Sequence, residues 1–503
     1  MARIWPAVAL LAAVAVGNAM LRSARLFLAE QAICRGYYAI HDPAILAPDG
    51  RVAEQQCKLD GIQAELSMVI GMFEVCMLLG GKRRLLGTPL TIRLAPTMGI
   101  RKIIAINVFM MCGAAFYSTI VTLLPGVFNV RMIWLTGLFE LASGGAPARN
   151  ALLYIHLAER VLPDALSGKL YRLSTLLMVM SFIGTSLGAI LLTRNVWLLC
   201  FLGVSFCVLA LLFVPLLQER SWLATLLTSS LVASPYMPIA QSTDVEPAEP
   251  DAMEAEPPRS WKQSLKTALK TTRVEGYQSS QVLMALLRDR VALLSLLIYF
   301  CYETAICVRV VLPQWASKSF SWTFAEVNAV TAVQILVNGG VLLSLPYFNK
   351  LYLLPRLSSQ RMVDHWAIQS SLICNIIGLI MVSTAPTRWL YIVALAIYNL
   401  GAALPDSLRS FVTASLQDER QIQRMYTAIS MVEAMAGLAG TTLWSTTFAT
   451  GMQYGGIALA RMCFFAAASL FTLSLFMTTT LNTITLEKTS RGISDGEDWA
   501  GRS

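Results

Sequence analysis

Apolar runs of about twenty residues, repeated along nearly the whole chain, restrict this sequence to one kind of fold. A run of that length, wound as a helix, crosses roughly 30 Å of hydrocarbon. Six candidate spans occupy the first half, at about 4–28, 62–80, 103–124, 132–156, 173–192 and 196–217. Six more occupy about 291–312, 324–347, 366–385, 389–413, 425–448 and 457–480. Lipid offers no partner to backbone N–H and C=O groups, so such segments satisfy them internally as helices. The expected fold is an all-α membrane protein with twelve transmembrane helices in two six-helix bundles. With 56% hydrophobic and 14% charged residues, no separate soluble core remains to carry catalysis.

The bundles are expected at 1–217 and 291–480, joined by a linker over 218–290 and followed by a disordered tail over 481–503. Residues 241–258 combine proline with acidic charge and lack the large apolar side chains a fold needs. Further on, Trp261, Leu265 and Leu269 recur at helical spacing beside Lys262, Lys266 and Lys270, a pattern suited to the inner membrane surface. Basic residues collect in the short loops on the linker side, from Lys82, Arg83 and Arg84 to Arg420 and Arg424. The opposite side holds fewer, such as Arg35, Lys58, Arg131 and Lys318, so the termini and linker are expected in the cytoplasm. The net charge of +9 is therefore a signal of topology and not of nucleic-acid binding.

Of the ten cysteines, all but Cys34 and Cys57 lie in apolar runs, where cysteine behaves as a small hydrophobe. Those two share the polar loop 29–61, and a disulfide closes it if the loop faces an oxidising compartment; two free thiols are the alternative. The first apolar run is too long for a signal-peptide core and is expected to remain as the first span.

Charges inside hydrocarbon are costly, so each one needs a partner or a function. Glu140 and Arg149 lie in span four, Glu303 and Arg309 in span seven, and Glu74 in span two. They are candidates for a central cavity, as cargo contacts or proton-exchanging carboxylates; helix-locking ion pairs are the alternative. Gln334 and Asn338, one turn apart on span eight, suit hydrogen bonding to cargo or to a neighbouring helix. Asp406 and Arg409 share one face of span ten, and Glu433 lies in the inner half of span eleven. With Arg101 and Lys102 they form the candidate cytoplasmic gate. The small-residue stretches 143–148, 184–188 and 434–440 suit close helix packing.

Neither Gly81-Lys82-Arg83 nor Gly168-Lys169-Leu170 completes a phosphate-binding loop. His41, His156 and His365 are far apart, and no paired-cysteine or histidine–glutamate metal motif occurs. No enzyme activity, cofactor or metal is expected. The expected partners are a small-molecule substrate and the lipid bilayer, with neither nucleic acid nor an obligate protein partner.

Leu404-Pro-Asp-Ser-Leu-Arg-Ser-Phe-Val-Thr-Ala-Ser415, followed by Met425-Tyr-Thr-Ala-Ile-Ser-Met-Val-Glu433, resembles spans ten and eleven of a fungal branch of the major facilitator superfamily. Leu312-Pro-Gln-Trp-Ala-Ser-Lys318 and Gln31-Ala-Ile-Cys-Arg-Gly-Tyr-Tyr38 resemble its span seven and first outer loop. The branch is similar to the proton-coupled folate transporter group. The superfamily's loop between spans two and three carries an Asp and basic residues. Here Leu94, Gly99, Arg101 and Lys102 match it, while Pro96 and Thr97 replace its Asp and Arg. The resemblance implies a proton-coupled secondary transporter with efflux of a secondary metabolite as the first expectation. Uptake of an organic anion or folate-like nutrient is the second, and a receptor or scaffold that no longer transports is the third. The plasma membrane is favoured over the vacuolar membrane.

Overall fold

A computed structural model describes residues 5–47, 52–82, 100–143, 149, 163–217, 290–357, 360–414 and 419–500. The loop 83–99, most of the stretch 143–148, His156 and the linker 218–289 with its Trp261 segment lie outside the described residues. Among the described residues the fold is helical throughout, and ten helices are long and apolar enough to cross a membrane.

In the first bundle the helices are α1 (Trp5–His41), α2 (Asp60–Lys82), α3 (Ile100–Leu123), α4 (Thr136–Ser143), α5 (Pro163–Arg194) and α6 (Val196–Phe213). In the second they are α7 (Arg290–Ile306), α8 (Phe324–Phe348), α9 (Gln360–Thr384), α10 (Arg388–Leu400), α11 (Glu419–Ala460) and α12 (Met462–Ala500). Two of these continue beyond a break. A 3₁₀ turn at Cys307–Val310 leads α7 into a short helix, Leu312–Phe320, and one at Gly401–Ala403 leads α10 into Leu404–Ala414. Each continuation carries a proline in its first turn, where a missing N–H costs nothing.

Two helices outrun the sequence reading. Helix α1 enters the expected loop and stops at His41, just before Asp42-Pro43, because a residue preceding proline is driven out of the helical region. Cys34 and Glu30 therefore stand on a helix. At the other end, α12 passes residue 480 and runs to Ala500 in place of the expected disordered tail. No proline follows Thr480, and extending an existing helix adds a hydrogen bond per residue without a new nucleus.

Within the first bundle α1 packs on α5 and α6, and α4 bridges α2 and α3. Within the second, α7 packs on α11 and α12, and α9 on α10 and α12. The bundles meet along two seams, α2 with α11 and α5 with α8. Ser67 donates to the Ser445 carbonyl at 3.1 Å across the first seam. At Gly71 a Cβ would stand 2.1 Å from Ser445 Oγ, so only glycine lets these helices approach this closely. Large apolar side chains such as Phe109, Phe116, Leu138, Phe201 and Phe476 stand exposed on the outside. In lipid such exposure carries no penalty, and polar contacts take over as the internal glue.

Candidate functional site

Each bundle holds a cluster of charges. In the first, α1 supplies Arg25, α2 Glu74 and α4 Glu140, and Arg149 faces Asn107 of α3. The Asn107 amide donates to the Ser143 carbonyl at 2.8 Å, and its oxygen accepts from Arg149 Nη1 at 3.4 Å. Arg149 and Glu140 are 4% and 6% exposed, and Glu140 lies within electrostatic reach of Arg149. Arg149 Nε is buried with no hydrogen-bond partner among the described residues. The Arg25 guanidinium lies 4.3 Å from the Phe73 ring centroid and feels the charges of Glu74 and Glu140. Sequence reasoning passed over Arg25. The signal was present, since Arg22 and Arg25 interrupt an otherwise apolar run.

In the second bundle, Glu303 of α7 lies within reach of Arg309, Arg409 and Glu433. Arg409 hydrogen-bonds Glu433 and stands 3.7 Å from Asp406. Arg309 donates from Nε to the Tyr398 hydroxyl at 3.3 Å and stacks 4.9 Å from that ring. Its Nη2 is buried without a hydrogen-bond partner among the described residues. Tyr299 donates to the Pro405 carbonyl at 2.8 Å and ties α7 to the continuation of α10. On α8, the buried Asn338 Oδ1 likewise lacks a partner among the described residues, and Gln334 is half-buried one turn earlier.

The five residues grouped in sequence as one gate are divided here. Asp406, Arg409 and Glu433 come together, whereas Arg101 and Lys102 stand exposed in the first turn of α3. The reason is position, since α3 packs on α4 and α6 within the other bundle.

At the end of the bundles opposite the linker, Cys34 and Cys57 form a disulfide with a sequence separation of 23. A closed loop of that size stabilises a fold by about 3 kcal/mol, chiefly by restricting the unfolded chain. Cys57→Ser is thus expected to lower the thermal transition of the detergent-solubilised protein, as would reduction of the native chain. An unchanged transition in both would count against a structural role for the bridge.

Two helix bundles meet along paired seams, and each gathers arginines and carboxylates among its apolar helices. No protein-family model matches the chain. It is 23% identical over 465 residues to the efflux pump ustT of Aspergillus flavus, a match covering 92% of this chain and 84% of that one. To the MFS efflux pump atnC of Emericella nidulans it is 22% identical over 443 residues, covering 88% and 80%. Among solved structures, the POT family transporter PepTSo shares the fold with a TM-score of 0.57 at 12% identity, covering 96% of this chain and 98% of that one. The nucleoside transporter NupG does so with a TM-score of 0.55 at 10% identity, covering 93% and 98%. The chain thus shares its fold with transporters of solved structure and is similar along most of its length to an efflux pump and an MFS efflux pump, and its apolar helices make it an integral, multi-pass membrane protein.

Proposed function

We propose that this chain exports a small organic molecule, a secondary metabolite, by alternating access coupled to proton entry. The observation that carries the reading is the match along most of both chains to two efflux pumps. In this scheme the bundles are 1–217 and 291–480, the linker side faces the cytoplasm, and the disulfide side faces outward across the plasma membrane. Glu140 and Glu303 hold and release the coupling proton. When Glu303 takes a proton, Arg309 and Arg409 lose an attraction toward α7 and their contacts with Tyr398 and Glu433 dominate. Arg149, Gln334 and Asn338 offer polar contacts to cargo, while Asp406, Arg409 and Glu433 tie the cytoplasmic ends together.

The proximity to the folate transporter branch belongs to the same proposal and supports a second direction, uptake of an organic anion with protons. What favours it is the pair of buried guanidinium nitrogens, Arg149 Nε and Arg309 Nη2, that lack partners among the described residues and suit a carboxylate.

Comparing metabolites inside and outside cells, with and without the chain, tests the reading. Export requires one compound to accumulate inside when the chain is absent. Glu140→Gln and Glu303→Gln are each expected to slow its exit by about tenfold or more, equivalent to about 1.4 kcal/mol in the transport barrier. Inward movement under an imposed proton gradient would select uptake. Unchanged pools on both sides would leave the scaffold reading in possession.

A further inference from the structure

The first outer loop is built to hold the opposite bundle. The Cys34–Cys57 disulfide ties it to α1. Lys58, 8% exposed, pairs with the fully buried Glu30 at 2.8 Å and with Glu54 at 3.2 Å. Gln63 of α2 donates to the same Glu30 at 2.6 Å. Loop, α1 and α2 are thus one piece, and a charge buried in it stays paired only while the piece is intact.

From this piece three groups reach across. The Glu54 carboxylate accepts the Phe324 N–H at 2.6 Å, at the positive N-terminal end of α8. The Lys58 ammonium sits 4.2 Å from the Phe324 ring centroid. Gln55 donates to the Ser321 carbonyl at 2.9 Å. Thr323 and Glu326 close the first turn of α8 reciprocally, as a capping box, and leave the Phe324 N–H for Glu54.

The second bundle reaches back. Lys318, on the short helix Leu312–Phe320, pairs with Asp60 at 2.8 Å and donates to the Lys58 carbonyl. Asp60 opens α2 and lies beside Gly456, whose φ of 58° lets the α11 chain turn there. Beside these contacts, between Phe27, Gln31 and Leu192 on one side and Thr323 and Ala325 on the other, is a cavity of ≈ 260 Å³. The crossing ion pair is partly exposed, at 21% and 50%, and such pairs are individually weak. The assembly can therefore close and part without unfolding either side.

We propose that this disulfide-braced loop is the latch of the outward gate. It is shut in the state seen here, and Glu54, Gln55 and Asp60 must release Phe324, Ser321 and Lys318 before cargo crosses that face. The inference rests on the transport reading, but its test needs no cargo.

Ser67, 1% exposed and bonded to α11, lies two turns beyond Asp60 along α2, between the bundles and behind the latch. Ser67→Cys in the full chain is labelled from outside with a membrane-impermeant thiol reagent, and the parent chain sets the background from native cysteines. Adding Lys318→Gln or Glu54→Gln is expected to raise the labelling rate about tenfold, a plausible shift in the open population for one lost charge-assisted contact. The exchange Asp60→Lys with Lys318→Asp keeps both charges and is expected to restore slow labelling. It also serves where a single variant fails to reach the membrane. Equal labelling in all chains overturns the latch, and so does an exchange that labels as fast as Lys318→Gln. Latch-dependent labelling in a chain that moves no cargo would instead retain the latch and remove the transport reading.

Discussion

Arg409→Gln is expected to cut flux about a hundredfold and to lower thermal stability by about 2–3 kcal/mol, the usual cost of removing one partner from a hydrogen-bonded charge pair away from water. Arg409 and Glu433 are only 24% and 19% exposed, so little solvent is at hand to take over when the guanidinium is gone. Glu433 would then face Glu303 without Arg409, which lies within reach of both, and Arg309 would be left acting on Glu303. The double variant Arg409→Gln with Glu433→Gln removes the pair as a unit and should recover most of the stability, because an apolar or neutral pair costs less than a stranded charge. Flux separates the two roles open to the pair. A double variant that unfolds like the parent but fails to transport places making and breaking of the pair within the cycle. One that recovers both properties reduces it to a brace between α10 and α11.

A side chain at Gly71 is expected to have an effect of similar size by purely steric means. A methyl there would meet Ser445 Oγ at 2.1 Å and Cβ at 2.3 Å, inside any tolerable contact, so α2 and α11 must separate. Gly71→Val should therefore slow flux by about tenfold or more, as expected for about 1–3 kcal/mol of overpacking placed on one state of the cycle. Gly71→Ala combined with Ser445→Gly exchanges the two volumes across the seam and should restore it. Flux and the Ser67→Cys labelling rate, measured on the same chains, check the argument. If Gly71→Val transports normally, the close approach of these helices is not a step in the cycle.

The helical class and ten of the twelve expected spans were legible because hydrocarbon forces a run of apolar residues for each crossing. Glu140, Glu303 and Arg149 stood out for the same reason, each being a charge in a place where charge is expensive. Arg25 met the same criterion and was passed over because it lies late in its run, next to the polar loop. The breaks at 307–310 and 401–403 were not legible from hydropathy, which is blind to a local change of helical winding. Least legible was the set of contacts between Glu54, Asp60, Lys318 and Phe324. Loop charges are ordinarily solvated, and only the folding of α1 beyond the expected span brings Glu30 beneath Lys58 and fixes the loop. The separation of Arg101 and Lys102 from Arg409 depends likewise on which helices neighbour α3, information that sequence distance does not contain.

The disulfide has a consequence for the order in which this protein is made. Every residue that braces the loop, from Glu30 through Cys34, Cys57 and Lys58 to Gln63, is synthesised within the first 63 positions, while Lys318, Ser321 and Phe324 are added some 250 residues later. The bridge can thus close while the ribosome is still working on the first bundle, and the second bundle then arrives at a surface already set to receive it. A host that keeps the emerging loop reduced would present that later half with an unbraced partner. The oxidising capacity of the compartment that receives the loop then becomes a determinant of how much of this chain reaches its mature form.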